Sequence, residues 1–384
     1  MSGESAETEN KNVVQVKPQP NTGLAATWGF EVVIAICEHC AWCFLLARQS
    51  LPQRCPHCFQ ADLALLEDPD GSLASRLAYT RPPEQTLPYT LSASDLEQGV
   101  AQFAHGIPFA PPDLQSQNLR KRLKQVYLPA WLVDVRVQAS WQAEAGYNYD
   151  VVSHEDAYSQ NRGGWASREI TERKVRWEPR LGRLERSYTN IPAPAMEDDG
   201  QWKLSLGEFN LSPAQTYRPE TARQAFVRLP DRSPQDAWSS AEPGVQSAAA
   251  EECMRATGGD HFRTFQWEPE FSDQNWTLLL QPLYATYYLD DDNQPQPVYF
   301  HGQFGGVAGS RRASMRRAQR ASLWILAVAL VIFALGLVAS FAGVAVTPLL
   351  ALGGVGLGVA AIIGVGAIFP VAIAWQFNRK YRSA

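Results

Sequence analysis

Leu323–Trp375 reads LWILAVALVIFALGLVASFAGVAVTPLLALGGVGLGVAAIIGVGAIFPVAIAW and contains no Asp, Glu, Lys or Arg. So long an apolar run is favourable only in a bilayer, where a charge at the centre costs about 3 kcal/mol or more. Thr347-Pro348 splits the run into spans of about Ser322–Gly343 and Leu349–Trp375, which predicts a transmembrane helical hairpin over 322–378. Both flanks are basic. Arg311, Arg312, Arg316, Arg317 and Arg320 make 311–321 a juxtamembrane segment, and Arg379, Lys380 and Arg382 make 379–384 a basic tail. The hairpin loop carries no charge, so the positive-inside rule places both termini in the cytoplasm, with the spans in the cell's inner membrane. Trp324 and Trp375 sit where indoles suit the headgroup layer. Gly354 and Gly358 have the spacing that lets helices approach closely, either span on span or copy on copy in a homo-oligomer. Pro370 predicts a kink in the last turns. With no ionisable residue inside either span, a transport pathway is disfavoured.

Charge is segregated along the chain. Of 34 basic and 39 acidic residues, eight basic and no acidic ones lie from Arg311 onward, so residues 1–310 carry 26 against 39, a net −13. An acidic body is a poor match for nucleic-acid phosphates and is repelled by anionic lipid. Arg120, Lys121, Arg122 and Lys124 are the densest basic stretch there, but on a helix they spread over more than half the circumference and read as a solvated face. Residues 1–26 are polar, lack the apolar core of a signal peptide, and read as a disordered tail.

Next in the chain come two metal-ligand pairs. Cys37-Glu-His-Cys40 is followed, after fourteen residues, by Cys55-Pro-His-Cys58. Two CxxC turns at this separation predict a four-thiolate zinc ribbon over 27–67, with Cys37, Cys40, Cys55 and Cys58 closing the shell of a structural Zn²⁺. Glu31–Ile36 and Phe44–Ala47 supply the ribbon's strands. Cys43 is a competing ligand by spacing, and a redox CxxC is the alternative chemistry. His39 and His57 read as exposed turn residues or sulfur neighbours. Thiolates kept as ligands suit a reducing compartment. Cys253 reads as a buried thiol on a helix.

Residues 68–86 are a polar connector, and 87–310 read as a mostly antiparallel α+β body. Ser94 and Glu97 have capping-box spacing, ahead of Leu96, Val100 and Phe103 at helical spacing, with Gly106 as the stop. A second helical patch runs near Leu114–Gln125. Tyr127–Trp141 then alternates, in its second half, as a half-buried strand does. Lys174–Trp177 and Leu184–Tyr188 flank Pro179-Arg-Leu-Gly182, which predicts a hairpin turn. Ser233-Pro234 opens a helix to about Ala256, with Gly258 past its end. Trp276–Leu289 is a strand in which Pro282 implies an edge or a bulge, Asp290–Asn293 turns, and Val298–Phe300 returns. The tryptophans fall mainly in strand-like segments and read as core.

No GxxxxGK(S/T) phosphate loop, HExxH or GxSxG elbow is present, and His154-Glu155-Asp156 reads as a solvated loop. No catalytic residues are assigned.

Four blocks together carry a resemblance: the double CxxC, PYTLSASDLEQGVAQFAHGIPFAPPDL (Pro88–Leu114), VYLPAWLVDVRVQASW (Val126–Trp141) and LLLQPLYATYYLDDDNQPQPVYFHGQFGGVAGSRRAS (Leu278–Ser314), followed by the apolar tail. They resemble a bacterial family of zinc-ribbon membrane proteins, described as TFIIB-type zinc-ribbon or helicase-like. Members are similar to a zinc-ribbon membrane protein encoded beside phage shock protein A and flotillin-like (SPFH) proteins. This chain departs from the pattern at His301 and Phe304, where the family has Asn and Thr, and at Ala130 within Pro129-Ala-Trp131. The resemblance implies a role in membrane stress or organisation, as a non-enzymatic adaptor that recruits a flotillin-like or phage-shock-type partner to the inner face of the membrane. A membrane-tethered enzyme and a nucleic-acid-binding ribbon protein are the alternatives. The helicase description finds no phosphate loop to rest on.

Overall fold

Three very long strands, of 36, 31 and 29 residues, organise the body and run well beyond the usual strand length. The computed structural model describes residues 28–50, 52–66, 82–159, 164–342 and 347–381. The expected tail (1–26), most of the expected connector (68–86) and Arg382 lie outside the described residues.

In chain order the strands are β1 (Val32–Cys37), β2 (Cys43–Ala47), β3 (Leu63–Leu66), β4 (Gln85–Thr86), β5 (Lys124–Ser159), β6 (Gly164–Pro194), β7 (Gln215–Thr216), β8 (Phe226–Arg228), β9 (His261–Leu289), β10 (Pro295–His301) and β11 (Val307–Gly309). The body's helices are α1 (Ala93–His105), α2 (Ser116–Lys121), α3 (Asp199–Leu206), α4 (Pro219–Arg223) and α5 (Pro234–Thr257). The C-terminal helices are α6 (Met315–Ala342), α7 (Thr347–Gly366) and α8 (Phe369–Lys380).

All the strands belong to one sheet, whose main path runs β11-β10-β9-β5-β8-β2-β1-β3. β5 pairs along one side with β9, and along the other with β8 and then β6. Most pairs are antiparallel, as expected, but β4–β9 and β5–β8 are parallel. The ribbon strands are hydrogen-bonded into this sheet through β2–β8.

At one end, β6, β5 and β9 form an arm that continues to the His261–Gly146 pair; beyond it β5 and β6 go on alone to Ser159–Gly164. Helix α5 lies along one face of the arm. Its buried residues, Ala237, Ala241, Val245, Ala249 and Cys253, recur every four positions; Ala237 and Ala241 pack with Trp131, Val133 and Leu278, and Val245 with Val135, Val137 and Ala139. Small residues at that spacing let the helix lie close to the strands, and Cys253 is buried among them.

Several local expectations are corrected. The capping box is Ser92 with Asp95 rather than Ser94 with Glu97: the Asp95 N–H donates to Ser92 Oγ (3.2 Å) and the Ser92 N–H to Asp95 Oδ2 (3.2 Å). The second helix shrinks to Ser116–Lys121, because Lys124 already pairs with Ala285. Pro179-Arg-Leu-Gly182 is not a turn but mid-strand in β6, with Pro179 opposite Glu144 and Gly182 opposite Trp141. β6 is an edge strand there, which tolerates a proline, and a Cβ on Gly182 would stand 3.0 Å from the Trp141 indole. His154 lies in β5, not in a loop. Pro282 breaks no register with β5; it falls where the other side of β9 changes partner from β4 to β10, and its carbonyl accepts from Gly302 (3.0 Å).

Candidate metal centre

The two CxxC turns fold alike. In the first, the Cys37 N–H donates to the Trp42 carbonyl (3.0 Å) and the Ala41 N–H to the Cys37 carbonyl (2.8 Å). In the second, the Cys55 N–H donates to Gln60 (2.9 Å) and the Phe59 N–H back to Cys55 (3.0 Å). The residue after each second cysteine, Ala41 or Phe59, has a left-handed φ of 57° or 58°. Each loop thereby turns two sulfurs to the same side.

The four Sγ atoms of Cys37, Cys40, Cys55 and Cys58 lie within 4.8 Å of one another. Cys37 and Cys58 are 3.5 Å apart, and Cys40 and Cys55 are 3.7 Å apart. Thiolates at about 2.3 Å from a tetrahedral zinc would sit about 3.8 Å from each other, so the donor set fits such an ion. The His57 N–H points at Cys55 Sγ (3.4 Å), as a donor to a ligand thiolate should. Cys43 opens β2, outside the cluster, and burial lifts its thiol to about 11.

His39 is exposed in its turn, as expected. His57 is a sulfur neighbour, as the second reading had it, and is half-buried rather than exposed. It stacks on Trp42 (4.1 Å between centroids, 11° between planes) and on Tyr299 (5.8 Å), and Tyr299 Oη donates to its carbonyl (2.8 Å). Trp202 on α3 meets Tyr299 edge-on at 4.8 Å. These rings, which sequence spacing did not flag, fix the second cysteine loop to β10. Arg228 lies 4.6 Å over Trp42 and pairs with Asp198 and Asp231.

The apolar helices meet the body at the base of the hairpin. Met315–Ala342 and Ala351–Lys380 are long and apolar enough to be membrane spans, and only 11% and 17% of their most apolar windows are buried. Leu323, Trp324, Phe341 and Ile362 are all more than 60% exposed, which a soluble core helix would not allow. Pro370 stands in the first turn of α8, and the helix breaks just before it. Gly354 and Gly358 do not pack the two spans together: nothing lies within 4 Å of a Cβ built on either. The contact uses Gly336, Gly353 and Gly356 instead; a Cβ on Gly353 would stand 2.6 Å from the Ser340 nitrogen.

Of the flanking basic residues, Arg311 lies over Phe103 (5.2 Å), Arg312 faces Asp290 (4.0 Å), and Arg317 donates to the Ala110 carbonyl (2.7 Å). Arg316 and Arg320 extend into a cleft beside α2. Arg379 lies over Trp375 (5.5 Å), and Lys380 over Tyr381 (5.7 Å). Asn378 ties the ends of the spans together: its Oδ1 accepts from the Ala313 N–H (2.7 Å) and its Nδ2 donates to the Ala313 carbonyl (3.0 Å). The basic stretch on α2 is broken up by pairing, Arg120 with Glu97 and Arg122 with Asp113.

These features define a mixed α+β protein with a large sheet, a four-cysteine cluster able to hold a metal ion, and two candidate membrane spans. Compared with family models, curated proteins and solved structures, the chain matches none.

Proposed function

We propose that this chain is a non-enzymatic membrane adaptor with a structural zinc ion, holding its body on the cytoplasmic face of the inner membrane and recruiting a flotillin-like or phage-shock-type protein there. The carrying observation is the joint between body and hairpin. Leu96, Val100, Phe103 and Phe300 of the body share one buried cluster with Ala318 of α6 and Ala374 of α8, and Asn378 clamps both spans beside it. A flexible tether would keep the body only near the bilayer; this packing supports a body held in one orientation. Zinc is favoured because four thiolates at near-tetrahedral spacing complete its shell and leave no open position for chemistry. The basic flanks at both ends of the hairpin support the cytoplasmic orientation.

The test compares the full chain with one ending at residue 310, in cells that carry a flotillin-like partner. The partner leaves the membrane fraction, and ceases to co-purify in mild detergent, when the hairpin is removed. Equal membrane recovery of the partner in both strains refutes the adaptor role.

A further inference from the structure

The cleft between α6 and the β9–β10 turn has a charge order that a phospholipid headgroup would match. Its volume is about 440 Å³, and its lining includes Asn118, Asp291, Asn293, Ser314, Arg316 and Arg320. Arg316 and Arg320 are four residues apart and so share one helix face, one turn from each other. Both are exposed, and neither has an ion-pair partner among the described residues. Arg320 lies three residues before the uncharged run that begins at Leu323, so this pair of guanidinium groups stands at the upper edge of the hydrocarbon.

Asp291 lies beside the first turn of α6, about one turn N-terminal of Arg320. Its carboxylate accepts from Ser314 Oγ (2.7 Å) and from the Arg316 N–H (2.9 Å), which fixes it at the start of α6. Each of its oxygens keeps a second lone pair for another donor. The other two acids lining the cleft are already engaged, Asp113 by Arg122 and Asp290 by Arg312 and its own turn. The cleft thus presents cations next to the hydrocarbon and one available carboxylate above them.

We propose that this cleft binds one membrane phospholipid of the phosphoethanolamine class, with the phosphate between Arg316 and Arg320 and the ammonium on Asp291. In such a lipid the phosphate lies beside the acyl chains and the amine beyond it, which is the order of charges in the cleft. Diffuse attraction between a basic flank and anionic lipid would need no carboxylate there. The inference rests on the hairpin crossing a bilayer, and not on the adaptor role.

The full chain, delipidated in neutral detergent, is examined by native mass spectrometry with added phosphatidylethanolamine or phosphatidylglycerol. One phosphatidylethanolamine per chain is retained, at about tenfold higher affinity than phosphatidylglycerol, the worth of one charge-assisted hydrogen bond. Arg320→Gln weakens both lipids about tenfold, Asp291→Asn removes the preference, and Arg379→Gln on the other flank changes neither. Equal binding of the two lipids overturns the proposal, as does an Arg379→Gln effect as large as that of Arg320→Gln. Soluble glycerophosphoethanolamine binding as tightly as the lipid would assign the cleft to a free phosphodiester and also overturn it. Release of the chain from membranes by carbonate would refute the spanning hairpin instead, and separates that failure from this one.

Discussion

Ala41 and Phe59 hold equivalent positions, each one residue past the second cysteine of its loop and each with a left-handed φ. That conformation costs a residue with a Cβ about 1–2 kcal/mol, whereas glycine enters it freely. The side chains differ: Ala41 is exposed, and Phe59 is buried against Tyr287. Ala41→Gly is therefore expected to stabilise the protein by about 0.5–1 kcal/mol, and Phe59→Gly to destabilise it by about 3 kcal/mol, because lost packing outweighs relieved strain. Denaturant unfolding of the metal-loaded chain in detergent checks both. His301 carries a pH dependence. Its Nδ1 accepts from the backbone of Gln303 (3.1 Å) and Phe304 (3.2 Å), its ring stacks on Phe209, and burial lowers it to about 4. The folded chain needs the neutral ring, while an unfolded histidine titrates near 6.5. The contribution is thus complete above about pH 6.5 and declines as pH falls toward 4, by about 2 kcal/mol. His301→Asn keeps a side-chain acceptor for the turn and removes the titration. Its stability should fall less than that of the parent between pH 7 and 5, and an unchanged slope would exclude His301 as the source. The cysteines were legible in the sequence because metal-ligand spacing is local. The ring cage of Trp42, His57, Trp202 and Tyr299 was not, because its members come from four distant segments.

The span contact separates glycines by face. Gly353 meets Ser340, and Gly356 meets Gly336, whereas Gly354 and Gly358 face open space. Gly353→Val should lower the thermal stability of the full chain in detergent, with an overpacking cost of about 1–3 kcal/mol, and Gly358→Val should leave it within about 0.5 kcal/mol. Equal losses would mean that the spans pack through the other face. Spacing alone chose Gly354 and Gly358, since it reports which residues share a face and not which face meets the neighbour. Among the strands, alternation located β5 and β9 but stopped both short. The β5 reading ended at Trp141, yet the strand continues for another eighteen residues to Ser159. From Tyr147 to His154 its only partner among the described residues is β6, most side chains there are exposed, and the period-two signal fades. In β6, Pro179 and Gly182 carry turn chemistry by residue type. An edge position and the facing Trp141 indole make them strand residues.

At the scale of the whole molecule, one sheet joins the four-cysteine cluster to the base of the two apolar helices. The ribbon strands enter it by β2–β8, and Tyr299 links the second cysteine loop to β10, which reaches Tyr288 and the start of α6. Chelating the metal from the full chain should raise amide exchange over residues 28–66 and leave β9, β10 and α6 protected, because the cluster of Leu96, Val100, Phe103 and Phe300 needs no ion. Hydrogen exchange with mass spectrometry reads this directly. Loss of protection across β9 would show that the metal supports the entire sheet. By itself, the sequence determined the two candidate membrane spans and the four cysteines able to hold a metal ion, since uninterrupted apolar length and CxxC spacing are each dictated by local chemistry. Only the tertiary structure decided that ribbon and body share one sheet, that the arm is built from strands of 29 to 36 residues, and that the body rests on the base of the hairpin. Those outcomes depend on side chains far apart in the chain meeting to bury common surface, and no local pattern encodes which of them meet.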